Sequence, residues 1–455
     1  VRFVHQGSGA ELIYIRNEDI DRAFTVTFKT PPETNQGIQH ILEHSLLASS
    51  ENYPGKDVFF DLAYKGYTSF LNAMTSPNYT QFLISSLSEK QLFAAADFML
   101  DLLFRPSILT EPRYFYREAF RYEMESAAAP LQPVGVVFNE MKTYESNIAN
   151  NAYNNAVQTL FPDTPDHYNS GGVPKDILQL TYEDAIAFYH KYYAPSKAKM
   201  FLYGKVDYRA FLEHIDKNIF AAAPLTDANP EPNGQETFSE MKVISVDQPV
   251  SAGSKVEGQS YIELAYGLPK EISRDEMTGM MLLVNEVFNH ESFPLLAALR
   301  AKNIAGNYSF SYNTESLQPS LLFEASYSDP DKAQVFQDTI LEVLTAVVAE
   351  GVDQILIDSI ISQKMLADRF LVENPTKGIE LIVQMTSSWN MLNSPFDGAH
   401  SARHLEEITA RTSEGFFEDL IEKHILHNTH AVLLTSTPKP GLLEKKESET
   451  KEVQI

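Results

Sequence analysis

The sequence predicts an α+β protein of two similar domains, each a mainly antiparallel β-sheet packed with α-helices. Three observations predict it. The chain has 455 residues, more than one core normally serves at roughly 100–200 residues per domain. Runs of period-two alternation are interspersed with runs of helical spacing. Segment 224–237, "PLTDANPEPNGQET", is proline-rich and polar, reads as a linker, and separates two stretches with the same general order of elements. The expected domains are therefore 1–223 and 238–438, with the charged stretch 439–455 as a connector or the start of a hinge.

The elements follow in order. "AELIYIRNED" and "RAFTVTFKT" alternate like strands around a polar turn. After the loop "PPETNQG" comes the helical run "IQHILEHSLLAS". "YTSFLNAMTSPNYTQFLISSL" reads as two strands around "TSPN". Residues 89–103 have helical apolar spacing, and "RYFYREAFRYEMESA" and "PVGVVFNEMKTYESN" read as further helices. "SGGVPKD" reads as a loop. "TYEDAIAFYHKYYAP" is a helix with a Thr cap that stops before Pro195, and "KAKMFLYGKVD" is a strand. Beyond the linker, "SYIELAYGLP", "NYSFSYN", "SLLFEASYS" and "HAVLLTSTP" are strands. "RDEMTGMMLLVNEVFNH", the two runs over 331–351 and 352–371, and "TSEGFFEDLIEKHIL" are helices.

Composition narrows the function. With 36 Lys+Arg against 61 Asp+Glu the net charge is −25, which argues against nucleic acid as a partner and suits basic peptides or proteins. Cysteine is absent, so any metal must be held by His, Asp or Glu. No apolar run is long enough to span a membrane, so no membrane partner is expected and a soluble, cytoplasmic location is the expectation. The chain opens on Val1, and a targeting segment could have been removed ahead of it.

The chemistry concentrates in "HILEH". On a helix, His40 and His44 share one face a turn apart, and Glu43 stands beside them. H-x-x-E-H is the inverted zinc-protease order. Two histidines leave tetrahedral zinc short of ligands, so a third must come from elsewhere. Carboxylates on the expected helices include Glu118, Glu123, Glu125, Glu140 and Glu145. Glu140 follows the apolar "VGVVF", which predicts a buried helix where a carboxylate needs a partner or a metal. Glu118, Glu123 and Glu125 read as a solvated face near Arg117 and Arg121. The other histidines read as surface, capping or structural residues. These are His400 and His404 in "HSARH", His424, His427 and His430 in "HILHNTH", and His290, His167 and His190.

Together, "GIQHILEHSLLASSENYP", "SFLNAMTSPNYT", "GVVFNEMK" and "YNSGGVPKDILQLTYEDAIAFYHKYYAPSKAKMFLYG" resemble the pitrilysin/insulinase superfamily of zinc peptidases, in its presequence-protease and falcilysin branch. The resemblance covers nearly all of residues 1–220 and is looser beyond. It implies one Zn²⁺ per chain held by His40, His44 and Glu140, with Glu43 as general base for metal-activated water. It implies that Asn72 and Ala73 lie on an edge strand that takes the peptide substrate as an added strand. It also implies a C-terminal half, or a second subunit, that closes a chamber around unstructured peptides and supplies an Arg and a Tyr not assignable here. Two rivals share the fold: a non-catalytic core subunit, and a peptide-binding module that does not cut.

Overall fold

The computed structural model describes residues 1–455 except 56–57, 67, 128, 221–222, 224, 371–373 and 453–455. The chain divides into two compact units. The first comprises 1–142, 168–232 and 373–386, and the second 143–167, 233–372 and 387–455. The passage from 232 to 233 falls inside the expected linker. Two stretches depart from a contiguous division. Residues 143–167, read in the sequence as part of the first domain, belong to the second unit, and 373–386 belong to the first. The first departure has a clear cause. Helix Ile148–Leu160 buries Ala156, Val157 and Leu160 against Ala265, Val432 and Leu434 of the second sheet.

The first unit is built on strands β1 (Arg2–Val4), β2 (Glu11–Arg16), β3 (Arg22–Lys29), β4 (Phe70–Thr75) and β5 (Tyr79–Ser86). A hairpin adds β6 (Arg121–Glu123) and β7 (Gln132–Val134), and β8 (Ala198–Gly204) completes the sheet of six. Its order is β1-β2-β8-β3-β5-β4, which leaves β4 at an edge. Only β2 and β8 run parallel. Phe24, Phe28, Phe82 and Phe201 are wholly buried in this core. Helix Tyr182–Tyr192 carries the expected Thr181 cap as a full capping box with Asp184.

The second unit holds β9 (Lys242–Val250), β10 (Ser260–Gly267), β11 (Ala305–Asn313), β12 (Ser320–Ser328) and β13 (Ala431–Pro440). Their order is β11-β12-β10-β13-β9, with β13 and β9 parallel and the rest antiparallel. Strand for strand, this repeats β4-β5-β3-β8-β2 of the first unit, orientations included. The duplicated fold suggested by the order of elements is therefore present in the topology.

Three local expectations change. The helix expected over 113–127 stops at Glu118, because Arg121–Glu123 pairs with Gln132–Val134 instead. "SGGVPKD" contains a short helix, Pro174–Ile177, that begins at its proline. The linker is not free of packing: Glu231 pairs with Lys29 in the first unit, and Gln235 bonds Gln318 and Asp163 in the second. Among the described residues, no helix is long and apolar enough to cross a membrane.

One buried group makes a pH prediction. Glu263 on β10 stands opposite Glu324 on β12 and is 1% exposed. Burial, then the charge and hydrogen bonding of Glu324, hold Glu263 well above the usual carboxylate range. The folded state therefore favours the protonated form. That stability is fully present below the unfolded-state value, about 4.3, and is lost as pH rises towards the raised one. Glu263→Gln removes the ionisation, so it is expected to raise the melting temperature more at pH 8 than at pH 5. Equal effects at the two pH values would contradict this account.

Candidate metal centre

Helix Ile38–Leu46 follows Gly37, whose φ of 64° is left-handed. A Cβ there would lie 2.5 Å from the Gly171 carbonyl oxygen. Only glycine permits this approach, and it brings that oxygen to 3.2 Å from His40 Nδ1. The helix buries Ile38, Ile41, Leu42 and Leu46, which leaves His40 and His44 half-buried on one side.

Gly135 makes a second close approach. A Cβ at Gly135 would fall 2.1 Å from the Ala119 carbonyl oxygen. The β6–β7 hairpin thus leaves and returns at one point. Helices Arg113–Glu118 and Val136–Glu145 meet there and present Glu118 and Glu140 to the two histidines.

Glu140 Oε2 lies 3.6 Å from His40 Nε2 and 3.7 Å from His44 Nε2. These separations are long for hydrogen bonds. They suit three ligands on one ion, since tetrahedral bonds of about 2.0–2.1 Å set neighbouring donors about 3.3 Å apart. His40, His44 and Glu140 are the one cluster among the described residues whose three ligand atoms all lie within 4.8 Å of one another. Glu140, however, is not buried. Val137, Phe138 and Met141 form the buried stripe of its helix, and the Glu140 side chain is half-exposed on the open side.

Glu118 also departs from the sequence reading. It is buried, not solvated: Oε1 accepts from Arg117 Nε, and Oε2 lies 3.4 Å from His44 Nδ1. This orients the His44 ring and leaves Nε2 facing Glu140. Burial pulls His44 down, but the Glu118 bond and the charges of Glu43, Glu140 and Glu118 outweigh it and leave its proton held more tightly than usual. His40 is shifted the other way, downward, by burial and then by the His44 charge. Burial raises Glu118, but His44 and Arg117 together bring it below the ordinary carboxylate range.

Glu43 is nearly buried, and its Oε2 accepts a 2.7 Å hydrogen bond from Thr75 Oγ1. Thr75 ends β4, the edge strand that carries Asn72 and Ala73. Asn72 is exposed, and its Oδ1 accepts from the Ala73 amide at 3.0 Å. Glu123 is exposed beside Arg121, and Glu125 is exposed. Among the described residues, the spare histidines form no second cluster. His404, His424 and His430 are buried rather than on the surface, and burial, with the Lys242 charge, brings His430 down to about 4.

Sequence reasoning missed the roles of Thr75, Glu118 and the Gly171 carbonyl. For Glu118 a signal existed: Tyr114 and Phe115, one turn earlier, are both buried and mark its face as inward. For Gly171 nothing in the local sequence pointed to His40.

Comparison with known proteins follows the same lines. Residues 30–156 match the family described as Insulinase (Peptidase family M16), and 179–364 match the Peptidase M16 inactive domain. The chain is 30% identical to Protein HypA of Clostridium perfringens over 99% of its own length and 46% of that protein's. It is 29% identical to Presequence protease 1, chloroplastic/mitochondrial, of Arabidopsis thaliana, over 100% of its length and 43% of the relative's. The chain therefore spans less than half the length of these curated relatives. A protease from Helicobacter pylori shares the fold with a TM-score of 0.73, at 16% identity, covering 97% of this chain and 99% of that one.

Proposed function

Because the chain belongs to the pitrilysin/insulinase (M16) peptidase family, on its presequence-protease branch, we propose that it is the metal-bearing half of a zinc endopeptidase that hydrolyses unstructured peptides. The observation that carries this reading is the convergence of His40 Nε2, His44 Nε2 and Glu140 Oε2, with Glu43 alongside. The match to the inactive domain begins at residue 179, beyond all four residues, and so does not favour a scaffold without a site.

His40, His44 and Glu140 would hold one Zn²⁺. Two imidazoles and a carboxylate, with no cysteine in the chain, fit zinc in a site that keeps a position open for substrate. When bound, zinc supplies Lewis acidity, which acidifies water and stabilises oxyanion charge. Glu43 takes the proton from the attacking water at a carboxylate oxygen and returns it to the leaving amine. The edge of β4 at Asn72 and Ala73 orients the peptide by main-chain hydrogen bonds, which read extended backbone rather than side chains. Such pairing requires an unfolded segment, and that sets the substrate class. The remaining wall of the site would come from a second half, as the relatives' greater length suggests.

Glu118→Gln is expected to weaken zinc binding about 10–100-fold, read by competition titration with a chelator, because the Gln amide no longer stabilises His44 Nδ1–H as a carboxylate does. Unchanged affinity would remove Glu118 from the centre. The reading as a whole falls if the zinc-loaded protein, supplied with its second half, leaves an unstructured peptide uncut.

A further inference from the structure

We infer that Thr75 is a positioning residue for Glu43 and ties the base to the strand on which substrate docks. This rests on the peptidase reading above. The Thr75 hydroxyl donates to Glu43 Oε2 at 2.7 Å. Hydrogen bonds to ionised groups are the stronger class, and this one fixes a flexible side chain. Glutamate has three rotatable bonds, and its carboxylate could otherwise turn either oxygen toward the reacting centre. With Oε2 engaged, Oε1 is the oxygen left for proton transfer.

Thr75 is itself well held. Its β-branched side chain has few rotamers, and its backbone is fixed in β4, where it pairs with Thr80 of β5. That neighbour is locked in turn, since Thr80 Oγ1 bonds Thr30 Oγ1 at 2.8 Å in the buried interior.

The placement along β4 gives the bond its second meaning. Thr75 lies two positions past Ala73 and three past Asn72, about 7–10 Å along the strand. β4 has β5 on one side only and is an edge of the sheet. A peptide laid against Asn72 and Ala73 shares a rigid element with the group that sets the Glu43 rotamer. Docking and base geometry are thereby placed in one frame, and a shift of the strand would shift both. A general base loses effectiveness when it is misplaced by a fraction of an ångström, so the loss of this bond is expected in turnover and not in binding.

The test uses Thr75→Val, which keeps the shape and loses the donor, and Thr75→Ser, which keeps the donor and loses the methyl. Both are assayed as zinc-loaded protein in the form that turns over, with the second half supplied, on an unstructured fluorogenic peptide. Thr75→Val is expected to lower kcat about tenfold, with KM within about twofold and zinc content at the wild-type level. Thr75→Ser is expected to recover kcat to within about threefold. Wild-type kcat for Thr75→Val, a change in KM alone, or equal impairment of the two variants would each assign Thr75 to packing and overturn the inference while leaving the peptidase reading intact. If Glu43→Gln turns over like wild type, the reading itself fails, and Thr75 has no base to hold.

Discussion

Replacing His44 with alanine is expected to leave a folded chain that no longer retains zinc. The imidazole supplies one of three converging donors, and Glu140 Oε2 would keep only His40 Nε2 as a neighbour at comparable distance. Zinc binding to closed protein sites is worth about 10–16 kcal/mol. Losing a third of that, about 4 kcal/mol, weakens binding roughly 1,000-fold. Metal analysis after gel filtration should therefore fall from about one zinc per chain to background. The fold should persist, because His44 is half-buried while Ile41, Leu42 and Leu46 carry the packing of its helix. Glu118, deprived of His44, keeps the Arg117 guanidinium. An alanine variant with wild-type zinc content would remove His44 from the ligand set.

Glu43→Gln is expected to do the reverse, with zinc kept and hydrolysis lost. The Glu43 carboxylate is absent from the converging trio and is engaged by Thr75, so metal content should match wild type. The amide has the same shape but cannot accept and return a proton. General-base contributions are typically about 10²–10⁴-fold in rate, so kcat should fall by at least about a hundredfold while peptide binding persists. Substantial turnover in a zinc-replete Glu43→Gln protein would mean that another group moves the proton.

Much of this was legible in the sequence where a local signal coincided with the tertiary outcome. The spacing of "HILEH" is helical, and the helix forms with both histidines on one side. Alternation placed β2 and β3, the "TSPN" turn placed β4 and β5 on either side of it, and the Thr181 cap placed its helix. The failures have physical causes. "RYFYREAFRYEMESA" has helical composition throughout, yet pairing of Arg121–Glu123 with Gln132–Val134 overrides it past Glu118. Burial singled out Glu140, although its side chain is half-exposed; its convergence with the histidines joins segments that no local window contains. Glu118 was misread because Arg117 and Arg121 beside it suggested a solvated face, whereas it lies on the buried face of Tyr114 and Phe115 and is paired there with His44 and Arg117. The division of the fold was hidden for the same reason, since helix Ile148–Leu160 packs on strands more than a hundred residues later.

The central claim is that His40, His44 and Glu140 form one zinc centre. Its most direct test is X-ray absorption at the zinc edge on the purified chain at neutral pH, with metal content measured on the same sample. The account predicts about one zinc per chain, with two imidazole nitrogens at roughly 2.0–2.1 Å, the remaining shell oxygen, and no sulfur. A chain that stays metal-free after exposure to zinc at neutral pH, or that binds it without histidine scattering, would contradict it.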